Sequence, residues 1–303
     1  MEAPATPVNF EIPPRACDCH THIYADPARF PMSPDRVYTP EVREPEQMAE
    51  LHRRLHMERV VIVHPNTHGT DNSVSLHAMR ARGADARGVA LIDGRTTNQE
   101  IEALTEAGMR GARLNLRLRH AEERDIARGR EQFQALAARV RQHNWHMQIF
   151  TTLPVIAGIR DLVEDAPVPV VFDHFGGLET SLGLTQPGFA DLVELVASGK
   201  AYVKLSAAYR CSTQAPDYAD IAPFARALIA ANPERVLWGS DWPHPTGVTP
   251  PGRQPTEVTP MHRIDDGRLL NQLAVWEPDA AVRKRILVDN PARLYGFPLE
   301  AGF

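Results

Sequence analysis

Two histidines separated by one residue give the clearest chemical signal in this chain of 303 residues. His20 and His22 come at the end of a short run, 16–20, whose composition is typical of a β-strand. Residues two apart on a strand point to the same side, so both imidazoles are expected to converge on one ion or substrate. Alone this pair is weak evidence, because many histidines at this spacing are ordinary core or surface residues.

A third histidine and an aspartate strengthen the signal. His174 follows the apolar run 168–173, and Asp241 follows the apolar run 235–240. A buried carboxylate needs polar partners, and side chains at the ends of neighbouring strands can provide them. We therefore predict that the four residues form one catalytic site rather than lying in unrelated loops. The predicted catalytic residues are His20, His22, His174 and Asp241.

Arginines form a second group of candidates. Arg113, Asn115 and Arg117 alternate along the run 111–116, so one face of this strand is polar. A strand covered on both faces carries such a polar face only where that face looks into a site. Clustered guanidinium groups need an anion, and arginine matches the geometry of a carboxylate, so we predict a substrate with one or two carboxylates. The predicted substrate-binding residues are Arg113, Arg119, Arg210, Tyr38 and His68, the last two as loop hydrogen-bonding groups; Arg117 is more typical of a solvated position.

Strand-like and helix-like segments alternate along the whole chain. Eight such units in series predict a parallel sheet. An open, doubly wound sheet shows the same alternation, but chemistry at the ends of several strands favours a closed (β/α)8 TIM barrel. The predicted strands are 16–20, 59–64, 88–92, 111–116, 146–150, 168–173, 201–206 and 235–240. The predicted helices include 45–56, 72–82, 98–107, 131–143, 155–165 and 218–231.

Two long proline-rich insertions, 26–45 and 242–260, follow the first and the last predicted strand. In a barrel both lie at the C-terminal face, where a lid over the site could form. No linker interrupts the pattern of strands and helices. We therefore predict a single domain over residues 1–303, with 1–15 as an N-terminal extension.

The composition excludes several classes of function. The net charge of −5 leaves no basic surface of the kind that nucleic-acid binding requires. The N-terminus lacks the basic and apolar regions of a signal peptide, and no apolar run is long enough to span a membrane. Three cysteines do not make a disulfide framework and fit a reducing compartment. We expect a cytoplasmic enzyme that binds a small anionic substrate and neither nucleic acid nor membrane, while the oligomeric state stays open.

At these residues the chain resembles the amidohydrolase superfamily. The shared pattern is two histidines on the first strand, a histidine on the sixth and an aspartate on the eighth. The closing segment 289–297 is similar to the terminal helix motif of the amidohydrolase-2 branch. The segments 30–40 and 68–72, together with Arg113 and Arg119, resemble the lactonase group of that branch, and most closely the pyrone-dicarboxylate hydrolases.

The resemblance implies a hydrolase that opens a carboxylated lactone similar to 2-pyrone-4,6-dicarboxylate. Asp241 would act as the general base toward the attacking water. The histidines and an arginine would polarise the carbonyl, and other arginines would bind the carboxylates. Two alternatives come from the same branch, a lactone isomerase and a metal-dependent decarboxylase. A third is a non-catalytic carboxylate-binding barrel, which needs the arginines but not Asp241.

Departures from the superfamily pattern bear on the cofactor. Many members bridge two metals with a lysine or glutamate on the fourth strand, where this chain has Arg113 and Asn115. Many also have a histidine ligand on the fifth strand, but Gln148 stands near that place and His146 lies at the start of the strand. We therefore favour a site without a metal, since these positions offer no further ligands. If one divalent ion such as zinc binds, its expected ligands are His20, His22, His174 and Asp241.

Overall fold

The structure is a computed structural model that describes residues 6–116 and 123–298. Its main sheet has eight parallel strands, each next to its neighbours in chain order. The strands are β1 (Cys17–Thr21), β2 (Arg59–Val63), β3 (Ala86–Ala90), β4 (Met109–Asn115), β5 (His146–Phe150), β6 (Val170–Phe172), β7 (Ala201–Ser206) and β8 (Val236–Gly239). Their bounds differ from the predicted ones by at most two residues, because short runs of buried β-branched residues mark them clearly.

Backbone hydrogen bonds close the sheet into a barrel. The amide of Asp241 donates to the carbonyl of His20 at 2.9 Å, and the amide of His22 donates to the carbonyl of Trp242 at 2.8 Å. These bonds join the segment after β8 to the end of β1. The predicted (β/α)8 barrel is therefore confirmed.

Helices lie between the strands and cover the outside of the barrel. Predicted helix ends match where the caps are strong: Thr97 forms a capping box with Glu100, and Gly108 turns the chain with a φ of 102°. The predicted helix 155–165 is instead two short helices, and the one predicted at 131–143 begins earlier. The helices are α1 (Pro45–Leu55), α2 (Ser73–Arg82), α3 (Asn98–Glu106), α4 (Glu123–Val140), α5 (Leu153–Gly158), α6 (Arg160–Glu164), α7 (Phe189–Ala197), α8 (Ala222–Ala231), α9 (Asp266–Trp276), α10 (Ala280–Lys284) and α11 (Asn290–Tyr295).

A bulge in β1 lets two consecutive residues face the barrel interior. The pairing of β1 with β2 shifts by one residue between Asp18 and Thr21. Asp18 faces α1, where its Oδ2 lies 3.3 Å from Nε2 of His52. Cys19 packs inside the barrel, and His20 also faces the interior polar groups. His20 therefore points inward although Asp18, two residues earlier, points outward, whereas a regular strand would place both on the same side.

The two proline-rich insertions pair with each other beyond the C-terminal ends of β1 and β8. Thr39–Pro40 forms a short parallel ladder with Val258–Thr259. The hydroxyl of Thr39 also donates to the carbonyl of Pro255 at 2.6 Å. Both insertions thus lie at the C-terminal face of the barrel, as predicted.

The opposite end of the barrel is filled by the chain's C-terminal helix. Tyr295 of α11 packs edge-on against His146 at the start of β5, with ring centroids 5.1 Å apart. His146 therefore lies away from the catalytic face, as its place in the strand predicted. At the N-terminus, Thr6 donates from its amide and its hydroxyl to the carboxylate of Asp265. None of the described helices has the length and apolar composition needed to cross a membrane.

Candidate active site

The four predicted catalytic side chains meet in one buried cluster at the C-terminal end of the barrel. The Oδ1 atom of Asp241 faces Nε2 of His22 at 3.4 Å, of His20 at 3.5 Å and of His174 at 3.9 Å. His174 and Asp241 follow β6 and β8 and have φ angles of 50° and 64°. Such left-handed backbone is uncommon outside glycine and is often found at functional sites.

The two oxygens of Asp241 have different surroundings. Oδ2 accepts hydrogen bonds from the hydroxyl of Tyr209 at 2.6 Å and from Nε of Arg210 at 2.8 Å. Oδ1 has no hydrogen-bond partner among the described residues. Burial acts to raise the pKa of Asp241, but Arg210 and His174 outweigh it and hold this pKa well below its usual range. The carboxylate is therefore ionised, with one oxygen left to accept a proton.

The imidazoles around Asp241 are neutral. Burial lowers the pKa of His174 to about 4 and that of His20 well below its usual range. Burial and the charge of Arg113 lower the pKa of His22. Each ring can therefore donate one hydrogen bond and accept another near pH 7. The orientation is set by the other ring nitrogen: Nδ1 of His22 lies 2.7 Å from the carbonyl of Val63.

A buried polar network that sequence reasoning missed lies directly beneath this cluster. Nζ of Lys204 lies 2.6 Å from Oε1 of Gln148, 3.3 Å from Nδ1 of His20 and 3.4 Å from Oδ1 of Asp173. Nε2 of Gln148 donates to Oδ2 of Asp173 at 3.1 Å. Lysine in the otherwise apolar run 201–206 was the available signal, since a buried lysine needs such partners.

Arg113 is a buried cation next to the cluster. The residue is 7% exposed, and it forms no ion pair within residues 6–116 and 123–298. Its Nη1 is 3.5 Å from the carbonyl of His64, and its guanidinium lies 5.8 Å from the ring of Phe150. Nε is buried without a hydrogen-bond partner in the same residues. A buried guanidinium whose charge has no carboxylate partner and few hydrogen bonds is suited to bind an anion.

The other predicted substrate-binding residues have different surroundings. Arg210 is paired with Asp241 and also donates to the carbonyl of Pro245 at 2.5 Å. Tyr38 is buried, and its hydroxyl lies 3.0 Å from that of Tyr24, a residue the sequence reasoning missed. Arg117 and Arg119 lie outside the described residues.

His68 lies in the loop after β2. Its Nδ1 is 3.1 Å from the hydroxyl of Thr67, and its ring is 6.1 Å from that of His64. Within the described parts of the chain it makes no hydrogen bond or ring contact with the four central residues. Its predicted role in binding the substrate stays a prediction.

A cavity of about 250 Å³ opens beside the cluster. His174 of the cluster and Arg210, the partner of Asp241, both belong to its wall, so the cavity borders the central groups. Serine and threonine side chains from the loops after β6 and β7 line another part of the cavity wall. Its lining includes Phe150, Thr152, His174, Thr180, Ser181, Tyr209, Arg210, Ser212 and Thr213.

The central donor atoms suit a single divalent ion by type and spacing. Those of His20, His22 and Asp241 lie within 4.8 Å of one another, as do those of His20, Asp173 and His174. Zinc takes imidazole nitrogens and carboxylate oxygens, and would serve here as a Lewis acid. Near the expected positions for further ligands, β4 and β5 offer Arg113 and Gln148 instead. The geometry therefore matches a mononuclear rather than a binuclear ligand set.

Known proteins that resemble this chain over most of its length include lactone hydrolases. A 4-sulfomuconolactone hydrolase from Rhizobium radiobacter is 38% identical over 97% of this chain and 94% of that protein. A 2-pyrone-4,6-dicarboxylate hydrolase from Comamonas testosteroni is 31% identical over 94% of this chain and 92% of its own length. A solved structure from Agrobacterium tumefaciens, 29% identical, superposes with a TM-score of 0.78 over 96% of this chain and 99% of that one. The model of the amidohydrolase family matches residues 17–297, so this chain belongs to that family, as its histidine and aspartate pattern predicted.

Proposed function

We propose that this amidohydrolase opens an anionic lactone by attack of water on the ring carbonyl. The observation that carries the proposal is the Oδ1 atom of Asp241. It belongs to a buried, ionised carboxylate, has no hydrogen-bond partner among the described residues, and faces three neutral imidazoles. A buried cation, Arg113, lies close by and forms no ion pair with any other described residue. A proton acceptor, hydrogen-bond donors and an anion site are the parts that such a reaction needs.

In the proposed reaction Asp241 is the general base. Oδ1 takes a proton from the water whose oxygen bonds to the lactone carbonyl carbon, while Tyr209 and Arg210 hold Oδ2. The bond between that carbon and the ring oxygen then breaks. The proton passes from Asp241 to the ring oxygen, so the products are a hydroxyl and a carboxylic acid, and the acid then loses its remaining proton to solvent water to become a carboxylate. Nε2–H of His174, whose Nδ1 can accept from the hydroxyl of Ser206 2.8 Å away, polarises the carbonyl as its oxygen gains charge.

Arg113 is proposed to bind the substrate's anionic group. A guanidinium pairs well with the oxygens of a carboxylate, and Tyr38 adds a nearby buried hydroxyl. The proposed substrate is a carboxylated lactone similar to 2-pyrone-4,6-dicarboxylate. A sulfonated lactone is the second choice, because a relative with 38% identity is a 4-sulfomuconolactone hydrolase.

A small panel of lactones tests the proposal. The purified protein is given 2-pyrone-4,6-dicarboxylate, 4-sulfomuconolactone and an uncharged lactone, and the products are identified by mass spectrometry. We expect an anionic lactone to gain the mass of one water. Asp241→Asn should slow this turnover by roughly 10²–10⁴-fold, the usual contribution of a general base. The exposed and distant Asp85→Asn should leave it unchanged.

The other outcomes separate the alternatives. A product of unchanged mass would identify an isomerase, and loss of carbon dioxide would identify a decarboxylase. Binding without turnover, with equal affinity in Asp241→Asn, would identify a carboxylate-binding barrel. Near-normal hydrolysis by Asp241→Asn would remove this residue from its proposed role.

A further inference from the structure

A buried histidine and a buried aspartate that the proposed reaction does not use lie close to Asp241. Nε2 of His244 is 3.1 Å from Oδ2 of Asp266, and the two residues are only 3% and 5% exposed. His244 lies in the loop after β8, and its amide donates to the carbonyl of Asp241 at 2.8 Å. Asp266 is the first residue of α9. The pair therefore ties the loop that follows Asp241 to the start of a helix outside the barrel.

The imidazole of His244 packs against the ring of Tyr209. The two ring centroids are 5.7 Å apart, and the ring planes are nearly perpendicular at 88°. His262 contacts the same tyrosine ring, with centroids 5.3 Å apart, and its amide donates to the carbonyl of His244 at 2.9 Å. Two imidazoles whose backbones are joined by a hydrogen bond thus hold one tyrosine ring. The side chain of the first is fixed in turn by Asp266.

The position of the Tyr209 ring matters because its hydroxyl donates to Oδ2 of Asp241 at 2.6 Å. A short hydrogen bond to a carboxylate depends on distance and angle, so it weakens when the ring turns. Tyr209 also belongs to the wall of the cavity, so a ring that nothing held would be free to turn toward that space. The contacts with His244 and His262 oppose this movement.

We infer that His244 and Asp266 are a positioning pair that holds Tyr209 in place against Asp241. Asp266 fixes the imidazole of His244, this imidazole fixes the tyrosine ring, and the tyrosine hydroxyl orients the carboxylate. In this role neither member of the pair exchanges a proton with the substrate. The kinetic consequence rests on the proposed reaction, in which Asp241 is the base, whereas the contact with Tyr209 does not.

Turnover of three aspartate variants gives the first test. Asp266→Ala removes the partner of His244, and loss of most of one hydrogen bond should lower kcat by roughly three- to tenfold with little change in KM. Asp266→Asn should restore kcat, because an amide can donate or accept in the same place. Asp265→Ala is the matched control, since Asp265 caps α9 by accepting from the amide of Arg268. It should lower the stability of the helix and leave kcat unchanged.

Two outcomes of this test would contradict the inference. Wild-type kcat in a folded Asp266→Ala would show that the pair does not act on turnover. Equal losses of kcat in Asp266→Ala and Asp265→Ala would assign the effect to the start of α9 as a whole. Circular dichroism and urea unfolding show which variants are folded under the conditions of the assay.

A double variant shows whether the pair acts through Tyr209. Tyr209→Phe removes the hydroxyl that donates to Asp241. If Asp266 only helps to place that hydroxyl, Asp266→Ala should lower kcat no further once Tyr209→Phe is present. Losses that multiply would show a different route and contradict the inference. If Asp266→Ala fails to fold, His244→Gln replaces it, since a glutamine amide can still bond to Asp266 but removes the ring. Its kcat should fall by the same roughly three- to tenfold, and a wild-type kcat would overturn the inference.

Fluorine NMR of protein labelled with 3-fluorotyrosine tests the contact without a lactone. The signal of Tyr209 is assigned by its loss in Tyr209→Phe. We expect this signal to shift in Asp266→Ala and to keep its wild-type position in Asp266→Asn and Asp265→Ala. An unmoved signal in a folded Asp266→Ala would overturn the inference, whatever reaction the enzyme performs. A shifted signal in a protein that hydrolyses no lactone would support the contact and reject only the proposed reaction.

Discussion

The guanidinium of Arg210 binds the carboxylate of Asp241, with Nε 2.8 Å from Oδ2. The charge of this arginine is therefore compensated before any substrate arrives. Arg113 differs, since it forms no ion pair within the described residues although it is buried. The sequence pattern assigned both arginines to the substrate's carboxylates, and the pairing gives Arg210 a second role in orienting Asp241. The two residues should therefore respond differently to the same substitution.

Arg113→Met should weaken binding of a carboxylated lactone. The substitution removes the buried cation that faces the anion, and truncation of one partner of a buried charged pair costs roughly 2–5 kcal/mol. KM for the anionic lactone should rise accordingly, while kinetics with an uncharged lactone change little. Arg80→Met, at an exposed arginine of α2, serves as the matched control. Equal losses on charged and uncharged lactones would indicate a structural role for Arg113 instead.

Arg210→Met should lower kcat for charged and uncharged lactones alike. Without its partner at Oδ2, Asp241 loses both its orientation and the main charge that lowers its pKa. A hydrogen bond to a charged group is worth about 1.5–3 kcal/mol, so we expect kcat to fall by roughly tenfold or more. Steady-state kinetics on both substrates measure this. A loss confined to KM for the anionic lactone would show that Arg210 acts only on the substrate.

Tyr209→Phe should shift the pH dependence of the reaction. The tyrosine donates to Oδ2 of Asp241 at 2.6 Å, and a donor to a carboxylate lowers its pKa. Loss of this donor raises that pKa, so the acidic limb of kcat/KM should move to higher pH. The ring should stay in place because it packs against His244 and His262. An acidic limb at the wild-type position would show that this hydrogen bond does not tune the base.

The fold could be predicted from sequence because its signals are local. Each strand is a short run of apolar residues. The helices show apolar residues at helical spacing and capping residues at their ends, as at Thr97. The central four residues could also be found, since strand ends of a barrel meet at one rim. The network of Lys204, Asp173 and Gln148 could not, because it depends on which side chains of three strands touch across the interior. Lys204, in an otherwise apolar run, indicates that a buried partner is needed but not which side chains provide it.

The bulge in β1 could not be predicted from the sequence either. It depends on the register between β1 and β2, which shifts between Asp18 and Thr21. Simple alternation along this strand would place Asp18 on the same side as His20. The structure places Asp18 against α1, where it lies 3.3 Å from His52. Pairing between distant segments, rather than local composition, decides this position.

Gly177→Ala should destabilise the loop that carries His174. Gly177 has a φ of 71°, and an added Cβ would lie 2.1 Å from the carbonyl oxygen of Thr151. Gly183→Ala is the matched control, since its φ is 72° but no atom lies within 4 Å of the added Cβ. The control should cost about 1–2 kcal/mol through backbone strain alone, and Gly177→Ala should cost at least about 1 kcal/mol more. Urea unfolding curves measure both, and equal losses would show that the contact with Thr151 relaxes freely.

Exhaustive chelation should leave the wild-type enzyme active. The donor atoms of His20, His22 and Asp241 are close enough for one ion, but the nearby charge of Arg113 disfavours a cation there. Asp241 and the neutral imidazoles supply the proposed base and the hydrogen-bond donors without it. We therefore expect substoichiometric metal in the purified protein by elemental analysis, and unchanged kcat and KM after dialysis against a chelator. One zinc per chain, with turnover lost on its removal and restored by its return, would refute the metal-free reaction and make Asp241 a ligand as well as a base.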